Sequence, residues 1–402
     1  MSYTFDYSLT PESMEYLKVL CNVHNFSKEN EDKYLVSYNK NKIKINDENV
    51  NTIGLHRSII FLNNNLICFS PPKSLSYDYF CKKYPNLDEN IIIEEFVEGT
   101  MINVYYNNIS KKWEIATKNN IGGTNIFYKN SFYSFGDLFY DTCNYVGLNL
   151  EDTLNKKYCY SFVMKHPYNQ MVEIVTYPSL HLIEVYEIER LSETNIKIHI
   201  KNSDEIIDQL LIDCNIHSRF KFNFKNYEDI KFKNLLLIDP HSVRKHILMG
   251  YVIKNKMTGE RTKLRNEEYE YLHKLRGNQP DFFYRYLELR QTGQVKEFIK
   301  YFPEYYNFVN MYRETIHTFT ENLYLYYINV NLTKTTLLLN VPYCYKQHVY
   351  KLHGQYIKEK INNKLFKVSR KYVIDYVNNL HPSVLMHSLN KYVDMCYTSG
   401  FK

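Results

Sequence analysis

Residues 91–106 read Ile91-Ile-Ile-Glu-Glu-Phe-Val-Glu-Gly-Thr-Met-Ile-Asn-Val-Tyr-Tyr106 and lead through a turn at residues 107–110 into Lys112-Trp-Glu-Ile-Ala-Thr117. Short runs rich in Ile, Val, Tyr and Phe that alternate with Asn-rich turns are typical of β-hairpins. The stretch therefore predicts a hairpin whose first strand opens at Glu98-Gly99-Thr100. Runs of the same kind predict further strands at residues 58–62, 66–69, 158–200, 248–254 and 261–265.

The pattern becomes helical after residue 266, and Gly277-Asn278-Gln279-Pro280 interrupts it. Apolar residues at helical spacing predict helices at residues 135–145, 267–275, 282–292, 295–301, 305–327, 345–361 and 372–379. Another helix is predicted to begin at Thr10-Pro11-Glu12, followed by strand-poor sequence. We therefore expect an α+β chain with a helical N-terminal extension (1–50), an antiparallel-sheet domain (51–270) and an all-helical C-terminal domain (271–402).

Charge is distributed unevenly along the 402 residues. The net charge is +6, but residues 241–402 hold 25 Lys and Arg against 13 Asp and Glu, so the rest of the chain is acidic. A basic C-terminal half favours a polyanion-binding surface. A solvated basic helical face is the alternative.

Other features set aside several classes of protein. The eight cysteines form no CxxC pair, which argues against a zinc module or a disulfide framework and for a reducing, intracellular compartment. No apolar run approaches about 18 residues, so we expect no membrane span. The phosphate loop of Walker type, GxGxxG after a strand, HExxH and GxSxG are all missing. What remains is a series of basic residues at the ends of predicted strands.

These basic residues stand in a fixed order with the segments around them. The order is Arg57 with Phe61, Ser70-Pro71-Pro72-Lys73, Glu98-Gly99-Thr100, Thr117-Lys118, His166-Pro167-Tyr168-Asn169, Gly250-Tyr-Val-Ile-Lys254 and Lys263-Leu264-Arg265. It resembles a series in the phage-type RNA ligase 1 family, within the superfamily of ATP-dependent ligases and mRNA capping enzymes. That series is RGxxF, RPxxKFFN, KxDG, a strand ending in a basic residue, SPxNRIV, EGxVxK and KxK. The resemblance covers about residues 50–270. It implies an ATP-grasp-like ligase fold with an appended helical domain, and a source such as a large DNA virus, hence host cytoplasm or virus factory.

The resemblance also implies a chemistry with two transfers. A lysine amine, whose pKa of about 10.4 must first be lowered by its neighbours, attacks the α-phosphate of ATP. A carboxylate orients Mg²⁺ or Mn²⁺, and AMP then passes to the 5′-phosphate of an RNA that is joined to a 3′-hydroxyl. The implied partners are therefore nucleotide and RNA ends.

Three groups of that chemistry are replaced in this chain. Phe96 stands where the KxDG lysine belongs, Val163 where a carboxylate precedes the SPxNRIV-like segment, and Met249 where the glutamate of EGxVxK belongs. A phenyl ring cannot be adenylated. The pattern points either to a relocated nucleophile or to a fold that binds without ligating.

Lys73 is the candidate for a relocated nucleophile, because two prolines direct its backbone, with a phosphate clamp as the alternative. Lys118 is the second candidate. The remaining assignments are a nucleotide contact for Arg57, Lys254, Lys263 and Arg265 (or plain solvated strand residues), a turn at Gly99, and a metal or ribose contact for Glu98. His166 is expected to be a structural hydrogen-bonding residue rather than a general base.

A dense basic stretch near the C-terminus is the candidate RNA-binding surface. Its members are Lys351, Lys358, Lys360, Lys364, Lys367, Arg370 and Lys371. They predict a salt-dependent affinity for phosphates, unless they are ordinary exposed positions of Lys-rich helices. Three functions stay open: a divergent ATP-dependent RNA ligase-like nucleotidyltransferase, a degenerate ligase fold that binds RNA or nucleotide without covalent chemistry, and an mRNA capping guanylyltransferase.

Overall fold

The computed structural model describes residues 2–6, 18–27, 31–129, 131–192, 195–233, 244 and 247–398. The chain divides into two compact units, Met1–Arg276 and Gly277–Lys402. The division falls at Gly277, within the stretch where the sequence pattern changes. Strands lie in the first unit and the second is helical, so the expected α+β class with a helical C-terminal region is confirmed.

The strands of the first unit are β1 (Ser2–Asp6), β2 (Cys21–Asn25), β3 (Lys33–Tyr38), β4 (Ile59–Leu62), β5 (Asn65–Cys68), β6 (Ile91–Glu95), β7 (Thr100–Asn107), β8 (Lys112–Ala116), β9 (Tyr158–Lys165), β10 (Ser179–Arg190), β11 (Asn195–Lys201), β12 (Ile216–His217), β13 (Lys221–Phe222), β14 (Gly250–Asn255) and β15 (Arg261–Arg265). Its helices are α1 (Tyr77–Lys83), α2 (Phe135–Val146), α3 (Leu150–Thr153), α4 (Ser203–Leu210), α5 (Tyr227–Lys233) and α6 (Glu267–Arg276). The second unit has α7 (Phe282–Gln291), α8 (Val295–Tyr301), α9 (Tyr306–Asn331), α10 (Tyr343–Asn362), α11 (Arg370–Asn378) and α12 (Pro382–Thr398).

The strands form three sheets. A seven-stranded sheet has the order β1-β11-β10-β9-β7-β8, with β12 paired to β10, and the two four-stranded sheets are β13-β6-β14-β15 and β2-β3-β4-β5. All neighbours pair antiparallel except β10 and β12. The predicted hairpins appear as β4–β5, β7–β8 and β14–β15. Asn63 and Asn64 turn the first with φ of 45° and 61°, a conformation that asparagine tolerates better than most residues.

The N-terminal expectation of strand-poor sequence is wrong for residues 21–38. β2 and β3 lie there, and they build a sheet with β4 and β5. Leu35 and Val36 are fully buried and belong to a core cluster that also contains residues of the seven-stranded sheet. Burial of these side chains decides the strand, because a short apolar run by itself does not distinguish strand from loop. The helix expected from Thr10-Pro11-Glu12 lies outside the described residues.

The second unit is built around a core shared by its long helices. Ile316, Phe319 and Leu323 of α9 and Val349 and Leu352 of α10 are all buried in it. Helix α12 was missed from sequence, although Leu385 and Leu389 lie four residues apart on its buried face. Within the described parts of both units, no helix combines the length and apolarity needed to cross a membrane.

Candidate functional site

Phe96, which stands where the resemblance places a nucleophilic lysine, lies in the segment between β6 and β7. Its backbone N–H donates to the carbonyl of Gly250 at 2.9 Å, so the segment is held at the start of β14. The Nζ of Lys263 lies 4.0 Å from the centroid of the Phe96 ring, and the guanidinium carbon of Arg265 lies 5.8 Å from it. A ring face attracts cations at these distances. Phe96 is therefore covered by the positive charges of β15.

The alternation of β15 explains why these charges gather. Arg261, Lys263 and Arg265 are two residues apart, so they project from one face of the sheet, while Leu264 packs in the core on the other. Arg261 donates from Nη2 to the carbonyl of Pro72 at 2.6 Å. This bond brings the segment that contains Lys73 to the same face.

Arg57, Lys73, Arg261, Lys263 and Arg265, here called the cation cluster, influence one another electrostatically. Burial, and then Arg261, Arg57, Arg265 and Lys73, lower the pKa of Lys263 well below its usual range. Burial and neighbouring cations also lower the pKa of Lys73, and burial with Arg261 lowers that of Arg57 to about 10. In the described part of the chain, Arg57, Lys73 and Lys263 form no ion pair.

Lys73 is placed by its backbone, as its two preceding prolines predict. Its N–H donates to the carbonyl of Gly54 at 2.9 Å, and Leu75 donates to the carbonyl of Arg261 at the same distance. A cavity of about 300 Å³ is lined by Lys73 and Arg261, together with Pro72 and Leu55. Space for a ligand therefore adjoins the cation cluster.

Lys118 lies two residues beyond β8 and is half-buried. Its Nζ lies 5.3 Å from the ring centroid of Tyr38. Burial, followed by Lys40 and Arg57, lowers its pKa. Lys118 is thus near enough to Arg57 to feel its charge, and it makes no contact with Phe96 among the described residues.

Lys254 was expected to contact the nucleotide, but in the structure its side chain forms an ion pair with Glu184. Its Nζ donates to Glu184 Oε1 at 2.7 Å, and both side chains are more than nine-tenths buried. Arg219 pairs with Glu94 and approaches Glu184 at 3.9 Å. These cations lower the pKa of Glu184 against the effect of burial. Lys254 therefore neutralises a buried carboxylate, and its charge is not available to a ligand without breaking that pair.

Glu98 was expected at a metal or a ribose, and its carboxylate is likewise already used. It accepts the backbone N–H groups of Met171 at 3.1 Å, Val172 at 2.9 Å and Glu173 at 3.0 Å. Both oxygens thus tie the loop after β9 to the start of β7. The arrangement argues for a loop anchor, because a cation would have to compete with charge-assisted hydrogen bonds.

Gly99 is required by close packing rather than by chemistry. Its φ is +146°, and a Cβ there would lie 2.4 Å from the carbonyl oxygen of Met164 and 2.7 Å from Val163. Val163, in the slot where the resemblance implies a carboxylate, packs with Val97 and Ile183 in a small apolar cluster. The Val163 side chain is apolar and therefore offers no ligand to an ion.

A divalent metal held by protein side chains alone does not fit the described residues. Among the described residues no group of three His, Cys, Asp or Glu side chains is placed to hold one. Glu98 and Glu184 are engaged as described, and Val163 and Met249 carry no charge. Phosphate groups do fit, because Arg57, Lys73 and Lys263 offer positive charge that no described acid neutralises.

Two other predictions concern hydrogen bonding and exposure. His166 is buried; its Nδ1 accepts from the N–H of Tyr168 at 3.1 Å, so Nε2 donates to Asp141 at 3.0 Å. The hydrogen bonding expected for His166 is present in the structure. In the second unit the basic stretch is exposed throughout, at Lys351, Lys358, Lys360, Lys364, Lys367, Arg370 and Lys371. Arg370 pairs with Glu321, while the RNA contact of the stretch stays a prediction.

Sequence reasoning missed two members of the positive region, Arg261 and Lys40. Arg261 carried a signal, since it lies two residues before Lys263 and alternation puts both on one face of a strand. Lys40 carried none. It follows β3 in sequence and influences Lys73 and Lys118 only through the fold.

Comparison with known proteins gives a likeness of structure alone. No family model matches the chain, and no curated protein matches it. Its structure is similar to an alanine variant of the Naegleria gruberi RNA ligase with ATP and Mn (TM-score 0.37, 10% identity, 52% of this chain and 59% of that one). It is also similar to an archaeal ATP-dependent RNA ligase (0.41, 11%, 73% and 69%) and to a putative ATP-dependent DNA ligase from Aquifex aeolicus (0.40, 12%, 88% and 81%). The chain spans about three-fifths of the Naegleria enzyme, and at these TM-scores the likeness carries no argument about function.

Proposed function

We propose that the first unit is a divergent ATP-dependent RNA ligase-like nucleotidyltransferase fold that binds the phosphates of a nucleotide or an RNA 5′ end without ligating it. The observation that carries this is the convergence of Arg57, Lys73 and Lys263 from three separate segments, with no ion pair to any described acid. Gathering like charges costs free energy. Binding of a polyanion would offset that cost, because it places negative charge among the cations.

Two features support binding over ligation. Phe96 has no nucleophilic atom, and Lys263 lies over its ring. Three carboxylates of this region are engaged: Glu98 by three backbone N–H groups, Glu184 by Lys254 and Glu260 by Lys83. In this proposal the cation cluster supplies the charge neutralisation for which related chemistry employs a metal.

Calorimetric titration with pyrophosphate and with ATP, each in EDTA and in Mg²⁺, tests the proposal. We expect binding in EDTA, and a loss of affinity of about tenfold or more in Lys263→Met and in Arg57→Met, since each removes a charge-assisted contact. Lys82→Met is the matched control, because Lys82 is exposed on α1 and outside the cluster. Binding that needs Mg²⁺, or that is equal in all variants, would contradict the proposal.

A second candidate function is covalent nucleotidylation of a relocated lysine, with Lys73 as the first candidate. The lowered pKa values of Lys73 and Lys263 favour it, since a neutral amine is the nucleophile. The amine would attack the α-phosphate of a nucleoside triphosphate, forming an N–P bond while the bond to the leaving pyrophosphate breaks and the amine proton passes to water. The AMP or GMP would then be transferred to an RNA 5′-phosphate or 5′-diphosphate.

Incubation with α-labelled ATP, and separately GTP, plus Mg²⁺ or Mn²⁺ separates the two functions. Label that survives denaturing electrophoresis and vanishes in Lys73→Ala or in Lys263→Ala would establish the covalent function and name its lysine. Label from GTP alone would favour the capping reaction. No label with either nucleotide, together with reversible binding by calorimetry, is the result we expect.

A further inference from the structure

A second cavity of the first unit has a different chemistry from the cation cluster. It measures about 350 Å³ and shares no lining residue with the cluster. It adjoins the loop between β9 and β10, and its polar and aromatic lining includes Tyr145, Lys165, Glu173, Tyr177, His181 and His217. Ligand pockets span about 300–1,000 Å³, so a single small planar group fits the lower end of that range.

One wall is a pair of stacked tyrosines. The rings of Tyr145, on α2, and Tyr177, on the loop, are 6.4 Å apart and tilted by only 13°. Their side chains are 55% and 68% exposed, so the stack is open to solvent. An aromatic face open to solvent is the surface on which an unpaired nucleobase stacks.

Another wall holds a buried nitrogen without a partner. Nδ1 of His181 is inaccessible to solvent and makes no hydrogen bond among the described residues. The imidazole lies 5.2 Å from that of His217. Burial, then Lys165, His217 and Arg219, lower the pKa of His181 to about 3, so the ring is neutral near pH 7. A buried polar atom left unpaired is uncommon. Because this nitrogen is closed to solvent, a ligand with a hydrogen-bonding edge would reach it only after the imidazole turns towards the cavity.

The cavity also offers a donor and an acceptor side by side. Lys165 Nζ lies 2.7 Å from Glu173 Oε2, and both side chains are mostly buried. The edges of nucleobases carry donors and acceptors in adjacent positions. The cavity therefore suits a flat heterocycle better than a phosphate. It offers a stacking surface, the neutral imidazole of His181 and the Lys165–Glu173 ion pair.

The loop that carries Glu173 and Tyr177 is held in place at three points. Glu98 accepts the N–H of Glu173 at 3.0 Å, His166 donates to Asp141 of α2 at 3.0 Å, and Tyr168 stacks on Tyr133 with centroids 5.4 Å apart. Glu98 lies two residues after Phe96, so the segment between β6 and β7 contacts both this loop and the cation cluster. The walls are therefore preorganised for a ligand.

We propose that this cavity is a subsite for one unpaired nucleobase of a single-stranded nucleic acid, stacked on Tyr177 and hydrogen-bonded by His181 and the Lys165–Glu173 pair. The base belongs to a strand, and the open stack of Tyr145 and Tyr177 leaves room for the neighbouring nucleotide. The inference stands on this cavity alone and does not require phosphate binding at the cation cluster.

Fluorescence titration of the full chain with a 12-nucleotide RNA that contains 2-aminopurine tests the subsite. We expect quenching on binding, and a loss of affinity of about five- to 100-fold in Tyr177→Ala, the range that stacking of one base contributes. Tyr79→Ala is the matched control, since Tyr79 is 41% exposed on α1 and does not line the cavity. His181→Phe keeps an aromatic ring, although a larger one, and removes both ring nitrogens, and we expect weaker binding there too.

An abasic strand that binds as tightly as the RNA would overturn the inference, as would undiminished quenching in Tyr177→Ala. Displacement of the RNA by 1 mM adenosine would assign the cavity to free nucleosides instead of a strand; we expect none. The Lys263→Met variant distinguishes failure of the nucleobase subsite from failure of the proposed phosphate binding. It is expected to lose pyrophosphate binding while the quenching by Tyr177 persists.

Discussion

The Nζ of Lys263 lies 4.0 Å from the ring centroid of Phe96, at the position where the resemblance places a catalytic lysine. The ammonium and the ring make a cation–π contact, so the residue that replaces the nucleophile takes part in the electrostatics of the site. The positive charge comes instead from the adjacent strand.

Replacing Phe96 with leucine keeps an apolar side chain and removes the ring face beneath Lys263. We expect the free energy of unfolding to fall by about 0.5–2 kcal/mol, the range of a cation–π contact. Urea unfolding measures it, with Phe132→Leu as control because Phe132 is 92% exposed. Equal effects of the two substitutions would contradict a contact between Lys263 and Phe96.

Replacing Lys263 with methionine should stabilise the unliganded protein. The pKa of Lys263 is lower in the folded state than in the unfolded chain, so folding disfavours its charged form. That penalty is present at neutral pH and is relieved as the pH rises from the folded pKa towards about 10.4. We expect a gain on the order of 1 kcal/mol at pH 7 after solvent screening, and a smaller gain at pH 10.

Thermal unfolding of wild type and Lys263→Met at both pH values measures this difference. Lys82→Met serves as control, and added salt should reduce the gain because it screens the repulsion. If the gain in stability grows with pH, or if the substitution lowers stability at pH 7, then folding does not disfavour the charged form of Lys263.

Glu98→Ala should release the loop at residues 171–173. Three N–H groups lose a charged acceptor, and we expect a cost of about 3 kcal/mol with faster hydrogen exchange at those amides. Glu48→Ala, an exposed substitution, is the control. Addition of Mn²⁺ should leave the unfolding temperature of wild type unchanged. A large rise with Mn²⁺ that Glu98→Ala abolishes would restore the metal assignment.

Lys254→Met should destabilise the fold without weakening phosphate binding. It leaves Glu184 buried with Arg219 at 3.9 Å and only the longer-range influence of Arg261, and removing one partner of a buried pair costs about 3–5 kcal/mol. Urea unfolding gives the stability, and calorimetry at low temperature gives the affinity for pyrophosphate. A tenfold weaker affinity in folded Lys254→Met would instead place Lys254 at the ligand.

The basic stretch of the second unit makes a prediction about salt. Exchange for glutamine at Lys358, Lys360, Lys364, Lys367 and Lys371 should lower RNA affinity and flatten its salt dependence by about 0.7 for each phosphate that is no longer neutralised. Arg370 is kept, because it pairs with Glu321. Filter binding at several salt concentrations measures the slope. An unchanged slope would leave these residues as an ordinary solvated helical surface.

The sequence by itself determined the strands and helices whose patterns are local. Alternation predicted β7–β8 and β14–β15, Asn-rich turns predicted β4–β5, and helical spacing predicted most of α6 to α11. The same alternation put Lys263 and Arg265 on one face. Each of these depends on residues close together in the chain, so composition and period suffice.

The tertiary structure alone decided what each charged side chain is free to do. Lys254 and Lys263 have similar sequence signals, yet Lys254 neutralises Glu184 while Lys263 lies over Phe96 without an acid partner in the described residues. In the sequence Glu98 resembles a metal ligand, whereas in the structure its carboxylate accepts the backbone N–H groups of residues 171–173. These outcomes depend on partners about 70 residues away or more, and burial sets whether a charge is paired, repelled or open to a ligand. No local sequence pattern predicts which of these applies to a given charged side chain.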